Sequence, residues 1–141
     1  PEGTPVRFAG GRRSFATSEE AATFAANVWD TLDKVRERVA DPVLVHGGDG
    51  KGVDRLAASW AERRKVPQVA FGLDSRLGQR AGFKRNEQML SLKPRYLVAF
   101  AGNGVLERLV IQAKEKGVAV VDRRGPLGTN PRHAARTAAA A

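Results

Sequence analysis

Two short apolar segments, each followed by glycines, constrain the fold of this chain more than any other feature. Residues 6–9 form the first segment and precede Gly10 and Gly11. Residues 43–45 form the second and lead into the glycine-rich stretch 47–52. In a parallel α/β sheet, such turns lie at the carboxyl ends of strands, where ligands bind. Glycine lets the backbone approach a ligand, and the following helix directs free N–H groups at it. The pattern predicts an anion-binding edge on an α/β fold.

Apolar segments of strand length alternate with longer helical ones along the chain. The strands are expected at residues 6–9, 43–45, 68–71, 96–100 and 118–121. The helices are expected at residues 18–39, 53–64, 84–92 and 105–116, with an irregular loop over 72–82. Thr17 and Glu20 have the spacing of a capping box at the start of the first helix. This alternation predicts a Rossmann-like three-layer sandwich, with a five-stranded parallel sheet in the order 3-2-1-4-5 and helices on both faces.

Length and composition favour one domain. The chain has 141 residues, and its 42% hydrophobic content suffices for a single core. We expect a domain over residues 1–122 and a basic, Arg/Ala-rich tail over residues 123–141. The sequence has no apolar run of about 18 residues, so no membrane partner is expected. A short polar start and the absence of cysteine favour a cytoplasmic protein. With two histidines, no metal centre and no cofactor are predicted.

The net charge of +9 is large for this length. Part of it is local, because no acidic residue follows Asp122 while four arginines do, namely Arg123, Arg124, Arg132 and Arg136. Clustered arginines suit nucleic acid or an acidic protein surface. A basic surface that only faces solvent is the alternative. An ordered tail of this kind also suggests a homo-oligomer or a larger assembly.

The glycine turns supply most of the candidate ligand-binding residues. The first turn contributes Gly10, Gly11 and Arg12, whose guanidinium can form two parallel bonds to a phosphate or carboxylate. The second turn matches neither a Walker A loop nor the dinucleotide fingerprint. Its candidates are His46, Gly47, Gly48, Asp49 and Asp54. Alternatively, the Asp54 carboxylate only interacts favourably with the helix dipole. His46 can likewise be a buried structural residue.

Two further segments add polar candidates. Arg85, Asn86 and Glu87 lie at the start of a helix, where an asparagine needs a contact to justify it. The partner of the Asn86 side chain is then a ligand, a buried backbone group or a network of surface side chains. A third turn after the fourth strand contains Gly102, Asn103 and Gly104. Backbone N–H groups of Gly11, Gly48 and Gly104 are predicted to hold an anion, together with Arg12 and Arg85.

In combination these segments resemble the YspA/YpsA-related branch of the SLOG superfamily over residues 5–122. The segments that carry the resemblance are Gly10-Gly11-Arg12, Val45-His46-Gly47-Gly48 with Gly52, Asp54, Arg55, Leu56 and Ala57, and Arg85-Asn86-Glu87-Gln88-Met89. The resemblance implies a Rossmann-like module for a nucleotide or a nucleotide-derived ligand. Related phosphoribohydrolases carry a P-G-G-x-G-T-x-x-E segment. Here residues 101–107 lack its proline and threonine, and Glu107 is out of register.

Three functions follow as expectations. The leading one is a binding module for a nucleotide-like small molecule at the carboxyl ends of strands 1, 2 and 4, and a binder is favoured over an enzyme. The second is a nucleic-acid-associated or assembly protein that uses the basic surface and tail. The third is an N-glycoside hydrolase, which needs a carboxylate in the cleft from Glu87, Asp54 or Glu107.

Overall fold

The computed structural model describes residues 4–9, 15–48, 50, 52–72, 75–102 and 104–132. The strands are β1 (Thr4–Ala9), β2 (Pro42–His46), β3 (Gln68–Ala70), β4 (Tyr96–Phe100) and β5 (Ala119–Arg123). The α-helices are α1 (Ser18–Glu37), α2 (Gly52–Arg64), α3 (Ala81–Ser91) and α4 (Gly104–Glu115). Two 3-10 helices span Ser75–Arg80 and Pro126–Gly128.

The strands pair in parallel, in the order β3-β2-β1-β4-β5. The expected neighbours β1 and β4 are paired, with Val6 opposite Tyr96 and Ala9 opposite Ala99. An α/β architecture with parallel strands is therefore confirmed. The chain leaves β1 toward β2 and β3 on one side and later returns to β4 and β5 on the other. This reversal is where an α/β sheet opens a crevice at its carboxyl edge.

The side chains of β4 alternate between two core clusters. Val98 and Phe100 belong to a cluster with the buried faces of α1 and α2, whereas Leu97 and Ala99 belong to one with α4 and Leu90 of α3. Because successive strand residues point to opposite faces, the two clusters lie on opposite sides of the sheet. Full burial of one such large apolar side chain stabilises the fold by about 1.5–3 kcal/mol.

Polar side chains join α1 to α2 at successive helical turns. The Trp29 indole donates to the Leu56 carbonyl oxygen at 3.2 Å. The Asp33 carboxylate accepts from the indole of Trp60 at 2.9 Å and from two guanidinium nitrogens of Arg64 at 3.0 and 3.1 Å. The Arg64 guanidinium also lies over the Trp29 ring, 5.5 Å from its centroid. These contacts hold the two helices at a fixed separation.

Asp33 makes the stability of the fold pH-dependent. Its hydrogen bonds from Arg64, the largest cause, and from Trp60 hold the pKa of the Asp33 carboxyl below 3.8. A carboxyl with a lowered folded-state pKa stabilises the fold above pH 3.8 and loses that effect as the pH falls through the folded-state pKa. We expect Asp33→Ala to destabilise the fold by about 1 kcal/mol at pH 7 through the lost bond to Trp60.

Urea unfolding of both proteins between pH 7 and pH 2.5 measures this difference, which should shrink below pH 3.8. Asp30→Ala on the same helix is the control, because Asp30 forms an exposed ion pair with Lys34. A difference that is constant across this range would contradict the assignment.

The structure departs from the predicted elements between β3 and β4. The expected loop over residues 72–82 contains a 3-10 helix, Ser75–Arg80, and α3 begins at Ala81, three residues before the predicted start. The N-cap of α3 is Arg80, which makes no side-chain capping bond. The usual sequence signal for a helix start is therefore missing here. At α1 the signal is present, because the Glu20 N–H donates to the Thr17 hydroxyl at 3.1 Å.

Residues 124–132, the C-terminal segment, pack against the domain. The Asn27 side chain donates to the Leu127 carbonyl oxygen at 2.8 Å. Gly128 has φ +77°, and a Cβ there would lie 3.2 Å from ring carbons of both Phe24 and Phe100. β5 extends to Arg123 and the C-terminal segment covers two core rings, so residues 123–132, which were expected to belong to the tail, contact the domain. Residues 133–141 lie outside the described residues.

Candidate functional site

His46 ends β2 and shapes the turn that follows it. The ring is buried, with 4% of its surface exposed. Its Nδ1 accepts the N–H of Gly48 at 3.0 Å, so Nδ1 carries no proton and Nε2–H donates to the Gln68 side-chain oxygen at 2.9 Å. Gly48 has φ +73°, a left-handed conformation that glycine adopts without strain. Of the two roles considered for His46, the geometry favours the structural one.

This hydrogen bond corrects one detail of the predicted anion site. The Gly48 N–H was expected to hold an anion, but it already donates to His46. A ligand would have to break that bond to use the N–H, and would leave His46 Nδ1 buried without a donor. The positive charge that binds an anion at this turn must therefore come from side chains and from the N-terminus of α2.

Gly47 is the point where side chains from both faces of the sheet converge. A Cβ at this position would lie 2.7 Å from Arg85 Nη1 and 2.7 Å from Asp54 Oδ2. Both charged groups therefore occupy the space that any larger residue would need. Arg85 comes from α3 and Asp54 from α2, so helices on opposite faces meet over the carboxyl end of β2. The predicted grouping of Gly47, Asp54 and Arg85 is present in the structure.

Asp54 and Arg85 differ in how they are held. Asp54 is the third residue of α2 and is 6% exposed, and its carboxylate lies where the helix dipole favours negative charge. Arg85 is half-buried. Its Nε is buried and has no hydrogen-bond partner among the described residues. A guanidinium with an unused buried donor can take a further acceptor oxygen.

The two residues after Arg85 have structural roles. The Asn86 amide is 2% exposed and donates to the Val105 carbonyl oxygen in the first turn of α4, at 3.0 Å. This buried backbone contact is one of the predicted explanations for Asn86, and the surface network is wrong for it. Glu87 is exposed and accepts from Lys84 at 3.4 Å, so the surface interpretation holds there. Gly82 lets the helices approach, because a Cβ there would lie 3.0 Å from the Val105 side chain.

The third glycine turn connects β4 to α4. Gly102 is exposed and Gly104 begins α4. Glu107, in the first turn of that helix, accepts from Arg124 Nη1 at 2.8 Å. Two other nitrogens of Arg124 donate to both oxygens of Asp122 at 2.9 Å, and this hydrogen bonding lowers the pKa of the Asp122 carboxyl. Arg124 thus connects the C-terminal end of β5 to the N-terminal end of α4.

Several predicted site residues lie outside the described residues. They are Gly10, Gly11, Arg12, Asp49 and Asn103. Their assignment to the site stays a prediction. The sequence does not indicate three partners that the structure shows, namely Gln68, Val105 and Arg124. The pairings are distant in sequence, and no local spacing indicates them. Arg123 and Arg124, predicted as contacts for a partner, donate to the backbone oxygen and the carboxylate of Asp122, respectively.

Two features are absent from the described residues. Over the parts of the chain that the structure describes, no helix has the length and apolarity to cross a bilayer. In those same parts, no three acidic or histidine side chains come together as metal ligands would.

The sequence matches a family model, and the fold resembles solved structures. A model of the YspA, cpYpsA-related SLOG family matches residues 4–78, more than half of the chain. No curated protein matches the sequence.

Two solved structures of the Moco carrier protein from Chlamydomonas reinhardtii have TM-scores of 0.61 at 15% identity. One match covers 93% of this chain and 80% of that chain, and the other covers 99% and 85%. A third, of the molybdenum cofactor carrier protein from the same organism, has a TM-score of 0.59 at 14% identity and covers 93% and 80%. At these identities the likeness is one of fold.

Proposed function

Because this chain belongs to the YspA, cpYpsA-related SLOG family, we propose that it is a binding module for a nucleotide or a nucleotide-derived small molecule. The site is the carboxyl edge of the sheet, at the ends of β1, β2 and β4. One observation carries the proposal: Arg85 and Asp54 converge on Gly47 from opposite faces of the sheet. The finer architecture that we assign is a five-stranded Rossmann-like sandwich, which the strand order supports.

The proposed roles follow from the chemistry of the two side chains. Arg85 binds an anionic group of the ligand, because its guanidinium has a buried donor to spare. Asp54 accepts a hydrogen bond from a ligand hydroxyl, as carboxylates do for ribose in dinucleotide-binding folds. The dipole of α2 places partial positive charge at its N-terminus, and this also favours an anionic ligand. We assign Gly10, Gly11, Arg12, Asp49, Gly102, Asn103 and Gly104 to the same site from their positions after β1, β2 and β4.

Binding without catalysis is the role that we favour. An N-glycoside hydrolase needs an available carboxylate in its cleft. Glu107 is ion-paired with Arg124 and Glu87 with Lys84. The third carboxylate considered, Asp54, is only 6% exposed. Solved structures with this fold include a carrier protein for the molybdenum cofactor, which fits a small-molecule carrier.

The nucleic-acid alternative loses part of its support. It relied on the arginines from Arg123 onward, and Arg124 is engaged by Asp122 and Glu107. Its two carboxylate partners compete with any phosphate for the same guanidinium. No contact of the described residues favours this alternative over small-molecule binding.

Mass spectrometry of small molecules released from the purified protein tests the proposal. We expect a phosphate-bearing compound with a heterocyclic ring, at close to one per chain. Incubation with that compound should release no free base. Release of the base would support the hydrolase, and a protein that retains nucleic acid but no small molecule would contradict the proposal.

A further inference from the structure

We propose that a groove between the N-terminal two turns of α1 and the first turn of α2 binds the planar heteroaromatic ring of the ligand. This inference rests on the proposed function and adds the second half of the ligand site. The groove has a volume of about 320 Å³ and is lined by Phe15, Ala21, Phe24, Ala25, Gly52, Arg55 and Leu56. A volume of this size is at the lower end of the range for small-molecule sites.

The groove lies at the same edge of the sheet as the glycine turns. In a β-α unit the helix begins where the preceding strand ends, so the first turns of α1 and α2 flank the carboxyl ends of β1 and β2. Gly52 opens α2 and lines the groove. Asp54 lies two residues further on, about 3 Å along the helix axis. Asp54 also lies about 200° around the helix from Gly52, so a ligand that contacts Asp54 and enters the groove must cross the N-terminus of α2.

Small residues open the groove on one side. Ala21 and Ala25 are four residues apart on α1, so they lie on the same face of the helix, and both line the groove together with Gly52. None of the three has a side chain larger than a methyl group. The resulting space is a slot between two helices, which suits a flat group better than a branched one.

Aromatic side chains form another wall. The Phe15 ring packs against Phe24 at a centroid distance of 5.1 Å, and Phe24 meets Phe100 edge to face at 5.7 Å. Because Phe24 is buried, with 2% of its surface exposed, half-buried Phe15 is the ring that a ligand can contact. Flat apolar walls of this kind bind aromatic rings through offset-stacked or edge-to-face packing.

One cation completes the groove. Arg55 is exposed at the rim, and a guanidinium plane stacks on the face of an aromatic ring. Beneath the groove, the hydrogen bond from Trp29 to the Leu56 carbonyl holds the two helices together. The slot is therefore formed before a ligand arrives. Apolar walls, one cation and a neighbouring anion site together match a ring joined to a phosphate through a sugar.

The matched variants Ala25→Leu and Ala26→Leu test the assignment. Ala25 lines the groove, whereas Ala26, its neighbour on α1, is exposed and does not line it. Calorimetric titrations use the four standard ribonucleoside monophosphates and ribose 5-phosphate, which lacks the ring. In the wild-type protein we expect at least one nucleotide to bind tenfold or more tightly than ribose 5-phosphate. Ala25→Leu should remove this difference and Ala26→Leu should retain it.

The outcomes separate the two proposals. The groove assignment alone is overturned if no nucleotide binds the wild-type protein more tightly than ribose 5-phosphate does. It is also overturned if Ala25→Leu leaves that difference in affinity unchanged. Failure of every probe to bind the wild-type protein contradicts the proposed function. If Ala25→Leu fails to fold in a melting experiment, Arg55→Met serves instead, because Arg55 is exposed. It should weaken nucleotide binding about threefold and leave ribose 5-phosphate unchanged, and equal effects on both would overturn the assignment.

Discussion

Truncation after Arg123 is expected to lower the free energy of unfolding by about 3 kcal/mol, because it uncovers two core rings and removes their packing. Gly128 lies against Phe24 and Phe100, which are 2% and 0% exposed. The truncation also removes the bond from Asn27 to Leu127 and the cation that joins Asp122 to Glu107. The melting temperature should fall by roughly 10 °C for a domain of this size.

A second truncation, after Arg132, is the matched control. It keeps every contact described for the C-terminal segment, so its melting curve should match that of the full chain. Equal melting temperatures for both truncations and the full chain would show that residues 124–132 do not contribute to stability. Gly128→Val gives an independent check. It places a branched residue at φ +77° and against both rings, and should destabilise the fold without shortening the chain.

Arg85→Met is expected to weaken nucleotide binding by about 10- to 100-fold, which corresponds to a lost charge-assisted interaction of about 1.5–3 kcal/mol. Methionine keeps an unbranched chain of similar reach and removes the charge. The measurement is a calorimetric titration with the tightest-binding ribonucleoside monophosphate, beside a melting curve of the same variant.

Lys84→Met is the control for Arg85→Met. It removes the same charge from the adjacent position of α3, but Lys84 is exposed and paired with Glu87. Similar losses in both variants would mean that the general positive field attracts the nucleotide and that Arg85 makes no specific contact. An unchanged affinity in Arg85→Met would remove Arg85 from the proposed site.

Local patterns in the sequence predicted the elements well. β4 runs over the predicted residues, Tyr96–Phe100, because its apolar run is bounded by turn residues on both sides. Thr17 caps α1 as its spacing with Glu20 indicates. The start of α3 was missed, because Arg80 gives no capping signal. Sequence reasoning succeeds where a single segment contains the whole signal.

Contacts between distant segments were the part that sequence patterns did not predict. Asn86 was identified as needing a partner, but nothing local indicates the Val105 carbonyl. The C-terminal segment has the composition of a loose tail. Its role in covering the core depends on the space beside the Phe24 and Phe100 rings, which only a glycine in the left-handed conformation fits. Likewise, the spacing around Gly48 favours a free N–H, whereas the structure gives that N–H to His46.

The bond from Asn27 to Leu127 joins residues that are 100 positions apart. β1, in the middle of the strand order, has its partner β4 almost as far along the chain. Contacts of such high sequence separation slow folding, because a long loop must close before they form. During synthesis, at about 5–20 residues per second, Leu127 follows Asn27 by roughly 5–20 s. Over that interval β1 and α1 are made but lack their late partners, so the nascent chain exposes apolar surface that the finished fold buries.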